Sequence, residues 1–111
     1  MNKYFNKKVI VDGIKFDSKK EANRYNELKL LKRAGSIRDL ELQPVFVLQP
    51  AYTNNKNEKV RAITYKADFI YFDTHLDRYI VEDVKGYKTD VYKLKKKLFE
   101  YVYPNLTIEE I

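Results

Sequence analysis

The stretch Tyr79 to Gly86 reads Y-I-V-E-D-V-K-G: an apolar, strand-forming run that takes on three charged side chains and stops at a glycine. Tyr79, Ile80 and Val81 favour extended backbone, and charge in such a strand needs a reason. Side chains alternate across a strand, so Asp83 and Lys85 share one face with Val81, while Glu82 lies on the other with Ile80 and Val84. A carboxylate and an ammonium two residues apart on one face can hold a cation and a phosphate together. On a solvated face the same pair is an ordinary ion pair worth little. Glu82 is an alternative acid, but only Asp83 has the D-x-K spacing and shares a face with Lys85.

The rest of the chain narrows the choice. Its 111 residues are expected to form one domain, residues 1–111, with a single core. With 44% hydrophobic and 34% charged residues the chain reads as globular. It has no cysteine, which removes disulfides and thiolate zinc sites. A single histidine, His75, argues against a histidine-rich metal site or a Ser/His catalytic set, so any metal would be held by oxygen. No apolar run reaches the length of a membrane span and no signal-peptide core is seen, which sets the expectation of a cytoplasmic protein. Lysine and arginine number 22 against 16 acidic residues, and the resulting charge of +6 favours a polyanionic partner.

In chain order, Met1 to Lys8 is a polar, basic lead-in. Val9 to Phe16 predicts a small hairpin about the turn Asp12-Gly13. Ser18, with Glu21 three residues on, has the spacing of a capping box and opens a helix expected over 19–34, ended by Gly35. Ala22, Tyr25, Leu28, Leu31 and Leu30 give its apolar stripe; Lys19, Lys20, Arg24, Lys29, Lys32 and Arg33 give a basic face, solvated unless it borders a binding cleft. Ile37 to Leu42 and Val45 to Gln49 read as strands broken at Gln43-Pro44. The polar run Asn54 to Lys59 reads as a hairpin tip. Val60 to Phe72 predicts one long strand with Asp68 in its apolar half. After Gly86, Thr89 or Asp90 caps a second helix, limited by Pro104. Its apolar side is Val91, Leu94, Leu98, Phe99 and Val102, with Lys93, Lys95, Lys96, Lys97 and Glu100 outside. Leu106 to Ile111 reads as a last short strand. This order predicts an α/β or α+β fold, a mixed sheet flanked by two main helices.

The turn Asp73 to Arg78 ties two of these observations together. If Phe72 pairs with Tyr79, antiparallel register puts Asp68 opposite Asp83. Like charges so placed destabilise a sheet unless something positive lies between them, and a divalent cation would serve.

Asp68, Asp83 and Lys85, in the pattern D-x(14)-D-x-K with a glutamate on a preceding helix, resemble the PD-(D/E)XK nuclease superfamily. The chain is similar to its small phage and prophage endonuclease-like members, relatives of Holliday-junction resolvases. The resemblance covers about residues 9 to 104 and is carried by V-D-G-I-K-F-D-S-K-K-E-A, L-Q-P-V-F, Y-K-A-D-F and V-E-D-V-K-G. Ala67 stands where the name-giving proline would be, which removes no ligand. What the resemblance implies is a restriction-endonuclease-like core. It further implies a Mg²⁺-dependent endonuclease, with Mn²⁺ able to substitute, that hydrolyses phosphodiester bonds in branched or structured DNA during phage replication or recombination. Asp68 and Asp83, with the Val84 carbonyl, would hold the metal. Lys85 would orient or deprotonate the attacking water, its competing role being an ion pair to Asp83. Glu21 would complete the site as ligand or water positioner, its competing role being the capping box. Gln43 would lie near the site or only pack in a polar loop. Lys20, Arg24, Lys88, Lys93, Lys95 and Lys97 are the candidate phosphate contacts, and a homodimer would serve both strands. The alternative is a non-catalytic nucleic-acid-binding module of a phage replication complex. A third reading, an interaction protein, leaves the Asp68, Asp83 and Lys85 set unexplained.

Overall fold

The computed structural model describes residues 8–111, so the lead-in Met1 to Lys8 lies, apart from Lys8, outside the described residues. The chain runs β1 (Val9–Val11), β2 (Ile14–Phe16), α1 (Lys19–Arg33), β3 (Ile37–Leu42), β4 (Val45–Gln49), β5 (Tyr52–Thr53) and β6 (Lys59–Val60). It continues through β7 (Ile63–Lys66), β8 (Phe69–Asp73), β9 (Arg78–Asp83), α2 (Asp90–Val102) and β10 (Ile108–Glu110). The fold is α+β. Its central sheet has four strands in the order β10-β9-β8-β3, mixed because β10 runs parallel to β9 while the other neighbours are antiparallel. No helix of the described residues is long and apolar enough to cross a membrane.

Local chemistry sets the turns where the sequence places them. Asp12 and Gly13 both have positive φ, the backbone that a two-residue hairpin between Val11 and Ile14 needs. Asn54 Oδ1 accepts the Lys56 and Glu58 N–H groups and closes the β5–β6 tip. Asp73 Oδ1 accepts the His75 and Leu76 N–H groups and closes the β8–β9 turn, where Phe72 pairs with Tyr79 as the register requires. Ser18 and Thr89 are the N-caps, accepting from the Glu21 and Tyr92 N–H groups at 3.1 Å each. Gly35, at φ +81°, follows the C-cap Ala34 of α1.

The expected long strand over 60–72 is instead divided. β7 pairs with β4, and β8 pairs with β3 and β9, so the chain changes partners at Ala67-Asp68. The opposite change occurs at Gln43-Pro44, where Gln43 takes φ +52°. The two breaks face each other: the Gln43 N–H donates to the Asp68 carbonyl at 2.9 Å and the Ala67 N–H to the Pro44 carbonyl at 3.1 Å. A bent ribbon results, and its bend carries Asp68 to the end of β9.

One apolar cluster joins α1 and the β1–β2 hairpin to the sheet through Phe16, Ala22, Tyr25, Leu28, Ile37, Phe69, Tyr71 and Ile80. A second joins α2 and the β4–β7 ribbon to the sheet through Leu48, Tyr65, Ala67, Val81, Tyr92, Phe99 and Ile108. Ile80 and Val81 fall in different clusters, as alternation demands. Both expected helix stripes need correction. On α1 the buried side ends at Leu28, and Leu30 is 61% exposed, with Leu31 exposed as well. On α2 the inward residues are Tyr92 and Phe99, while Val91, Leu94 and Val102 are exposed. The reason is aromatic packing: the Phe99 ring lies 4.9 Å from Phe46, 5.2 Å from Tyr103 and 5.6 Å from Tyr65, and these large rings set the rotation of the helix.

Candidate active site

Three elements meet at the end of β9. The first turn of α1 brings Glu21, the bend between β7 and β8 brings Asp68, and the end of β9 brings Asp83 with Lys85 just beyond it. They enclose a cleft of about 450 Å³ lined by residues 17–21, Lys66, Asp68 and residues 83–86. Asp68 is fixed on three sides: its N–H donates to the Glu82 carbonyl at 3.1 Å, its carbonyl accepts from Gln43, and its Oδ2 accepts the Val84 N–H at 2.7 Å. Asp68 thus sits one step beyond the Phe69–Glu82 pair that begins the β8–β9 ladder, level with Asp83.

Asp83 is 2% and Glu21 5% exposed, so these carboxyls are held away from bulk water. Lys85 Nζ lies 3.3 Å from Asp83 Oδ1, and the Tyr65 hydroxyl donates to Asp83 Oδ2. The Lys85 ammonium also rests over the Tyr92 ring, 4.4 Å from its centroid. The Tyr92 hydroxyl donates to Glu110 Oε2 at 2.8 Å, which fixes the ring under the ammonium. Ser18 Oγ makes the N-cap hydrogen bond by accepting the Glu21 N–H, and Glu21 lines the cleft with Asp68 and Asp83.

The electrostatics follow from this crowding. Burial pushes the Asp68 carboxyl up to about 7, with the charges of Asp83 and Glu21 adding to the rise and the Val84 N–H opposing it. Burial likewise raises Glu21 above the usual glutamate range. Tyr65 is raised far above a free phenol, first by burial and then by its bond to Asp83, so it stays a donor at any physiological pH. Among the described residues no group of three or more acidic or histidine side chains is gathered as a ready metal-binding set. The donors present are nonetheless carboxylate and carbonyl oxygens, the chemistry of a hard divalent cation, and the raised Asp68 marks a spot where added positive charge would be favourable.

Glu21, Asp68, Asp83, Val84 and Lys85, expected from the sequence, all line this one cleft. Lys20 lines it too, with its Nζ 3.4 Å from the Lys85 carbonyl. Arg24 is a correction: it is not on a solvated face, because its guanidinium is committed to the buried Glu82 carboxylate, Nε to Oε1 at 2.7 Å and Nη2 to Oε2 at 2.5 Å. Lys88 pairs with Glu110 at 3.0 Å, and Lys93, Lys95 and Lys97 lie along α2 outside the lining. Gln43 serves through its backbone N–H to Asp68 and does not line the cleft. His75 sits in the exposed β8–β9 turn. Sequence reasoning missed Lys66, Tyr65 and Tyr92. The signal for Lys66 was its two-residue spacing from Asp68; Tyr65 and Tyr92 read as core, and they are core residues whose polar ends reach the site.

A family model described as "Protein of unknown function (DUF1064)" matches residues 1–111, and the chain belongs to that family. Neither the curated proteins nor the solved structures contain a match.

Proposed function

From the carboxylate cleft and the D-x(14)-D-x-K pattern that lines it, we propose that the protein is a Mg²⁺-dependent endodeoxyribonuclease of the PD-(D/E)XK kind, acting on branched or structured DNA. The observation that carries the proposal is the convergence of Glu21, Asp68, Asp83 and Lys85, which come from three separate elements and line one partly buried cleft. Asp68, Asp83 and the Val84 carbonyl would hold the cation, with Glu21 as a further oxygen ligand or as the group that positions water. Magnesium, or manganese in its place, supplies Lewis-acid stabilisation of a phosphodiester and acidifies water.

The chain's own residues do the rest. Lys85, steadied by Asp83 and by the Tyr92 ring, presents an ammonium at the mouth of the acidic cluster, where negative charge builds on the phosphate during attack. Tyr65 donates to Asp83 and fixes the rotamer of that carboxylate. Lys20, from α1, and Lys66, from β7, both line the cleft and suit the phosphates flanking the scissile one. The positive charge of the chain, +6, would draw it to DNA in the cytoplasm of a bacterial host, in phage replication or recombination.

Incubation with labelled linear, forked, flapped and four-way DNA, with and without Mg²⁺, tests the proposal. Mg²⁺-dependent cleavage of at least one form is expected, with no cleavage by Asp83→Asn. Binding without cleavage in every form would return the chain to a non-catalytic nucleic-acid-binding module.

A further inference from the structure

Glu82 and Asp83 are consecutive on β9, both almost fully buried, and they face opposite sides of the sheet. Asp83 faces the cleft. Glu82, 1% exposed, faces α1 and the first apolar cluster. Its two oxygens are taken by the fork of Arg24, at 2.7 and 2.5 Å, and Oε2 also accepts the Tyr71 hydroxyl from β8. Arg24 lies one helical turn after Glu21. A planar two-point bridge therefore joins the helix that carries one site acid to the strand that carries another, one turn from the first and one residue from the second.

Stability alone is a weak reason for such a bridge. Replacing a buried ion pair with apolar side chains of similar volume is often neutral or stabilising, so packing would be served as well by methionine or leucine. Geometry is a stronger reason. Glu21, Asp68 and Asp83 line one cleft, Glu21 and Asp83 almost fully buried, and carboxylates brought together there repel, so the helix and strand that carry them need a tie. We infer that the Arg24–Glu82–Tyr71 network is a clamp that holds Glu21 on α1 in register with Asp83 on β9 against this repulsion, preorganising the cleft for a divalent cation. Arg24, Glu82 and Tyr71 are then positioning residues and touch no reacting atom. The clamp rests on the metal reading of the cleft and adds residues that the reading does not need.

The test removes the network without leaving a buried charge. In the triple variant Arg24→Met, Tyr71→Phe, Glu82→Met, each polar group gives way to an apolar one of comparable size. Its melting temperature without divalent cation is expected at or above that of the wild type. Its affinity for Mn²⁺ by titration calorimetry is expected to fall about tenfold or more, the usual cost of removing groups that orient metal ligands. Arg24→Lys, which keeps the charge and gives up the fork, is expected to weaken Mn²⁺ binding with little change in melting temperature. A folded triple variant that binds Mn²⁺ as the wild type does, or an Arg24→Lys variant with unchanged affinity, overturns the clamp. If the wild type itself binds no Mn²⁺, the metal reading fails and the clamp with it, an outcome distinct from wild type and variant binding alike.

Discussion

At the residue scale the site turns on Asp68, whose carboxyl is the most displaced acid of the cleft. Its folded value of about 7 lies above the ordinary 3.8, so between these the folded chain binds more protons than the unfolded chain. Stability without divalent cation must then fall as pH rises from about 4 to 7 and stay low above that window. Asp68→Asn removes the penalty. The variant is expected to melt higher than the wild type at pH 8 and nearly level with it at pH 4, by calorimetry in EDTA. A variant that melts lower at pH 8 would show that Asp68 is stabilising when charged. Glu21→Gln separates two roles in another way: glutamine keeps the size and hydrogen-bonding capacity of the side chain, and Ser18 retains the cap. Melting should scarcely move while metal-dependent cleavage falls by at least about tenfold; an unchanged rate would return Glu21 to the helix end. Asp83, Lys85 and Asp68 were legible because charge interrupts apolar strands at a spacing that alternation interprets. The partner of Glu82 was not, because Arg24 stands among lysines in a face that reads as solvated, and only tertiary packing turns it inward.

At the element scale, turns and caps were legible because single residues carry them: Asp12-Gly13, Asn54, Asp73, Ser18, Thr89 and Gly35 each act through local backbone chemistry. The change of sheet partner at Ala67-Asp68 was not. The run V-R-A-I-T-Y-K-A-D-F-I-Y-F contains no glycine or proline, and its bend comes from bonds to Gln43 and Pro44 far away in sequence. Helix rotation was half legible. The α1 stripe is correct as far as Leu28 and fails in the last turn, where Leu30 and Leu31 are exposed. A pair of substitutions checks this. Leu28→Ala, at a fully buried position, is expected to cost about 2–5 kcal/mol. Leu30→Ala, at an exposed one, is expected to stay within about 0.5 kcal/mol of the wild type. Urea unfolding reads both, and equal destabilisation would contradict the packing.

At the scale of the whole molecule, two apolar clusters brace the opposite faces of a four-stranded sheet and leave the acidic cleft at one end of its central strands. A chain of net charge +6 with Lys20 and Lys66 lining that cleft should bind DNA mainly through phosphates. Affinity should then fall steeply and log-linearly with salt. Each phosphate left without its lysine, in Lys66→Ala or in Lys20→Ala, should make that slope shallower by about one unit. Two clefts related by a two-fold axis would serve both strands of a junction, and light scattering with and without junction DNA reads whether the chains pair. The central claim is that Asp68 and Asp83 share a divalent cation that drives phosphodiester cleavage. Its most direct test is calorimetric titration of Mn²⁺ into the wild type and into Asp68→Asn and Asp83→Asn, with cleavage of a four-way DNA junction followed on the same preparations. Saturable binding and cleavage in the wild type, with both abolished in each folded variant, is the expected result. Cleavage that persists in excess EDTA or in both variants would contradict it.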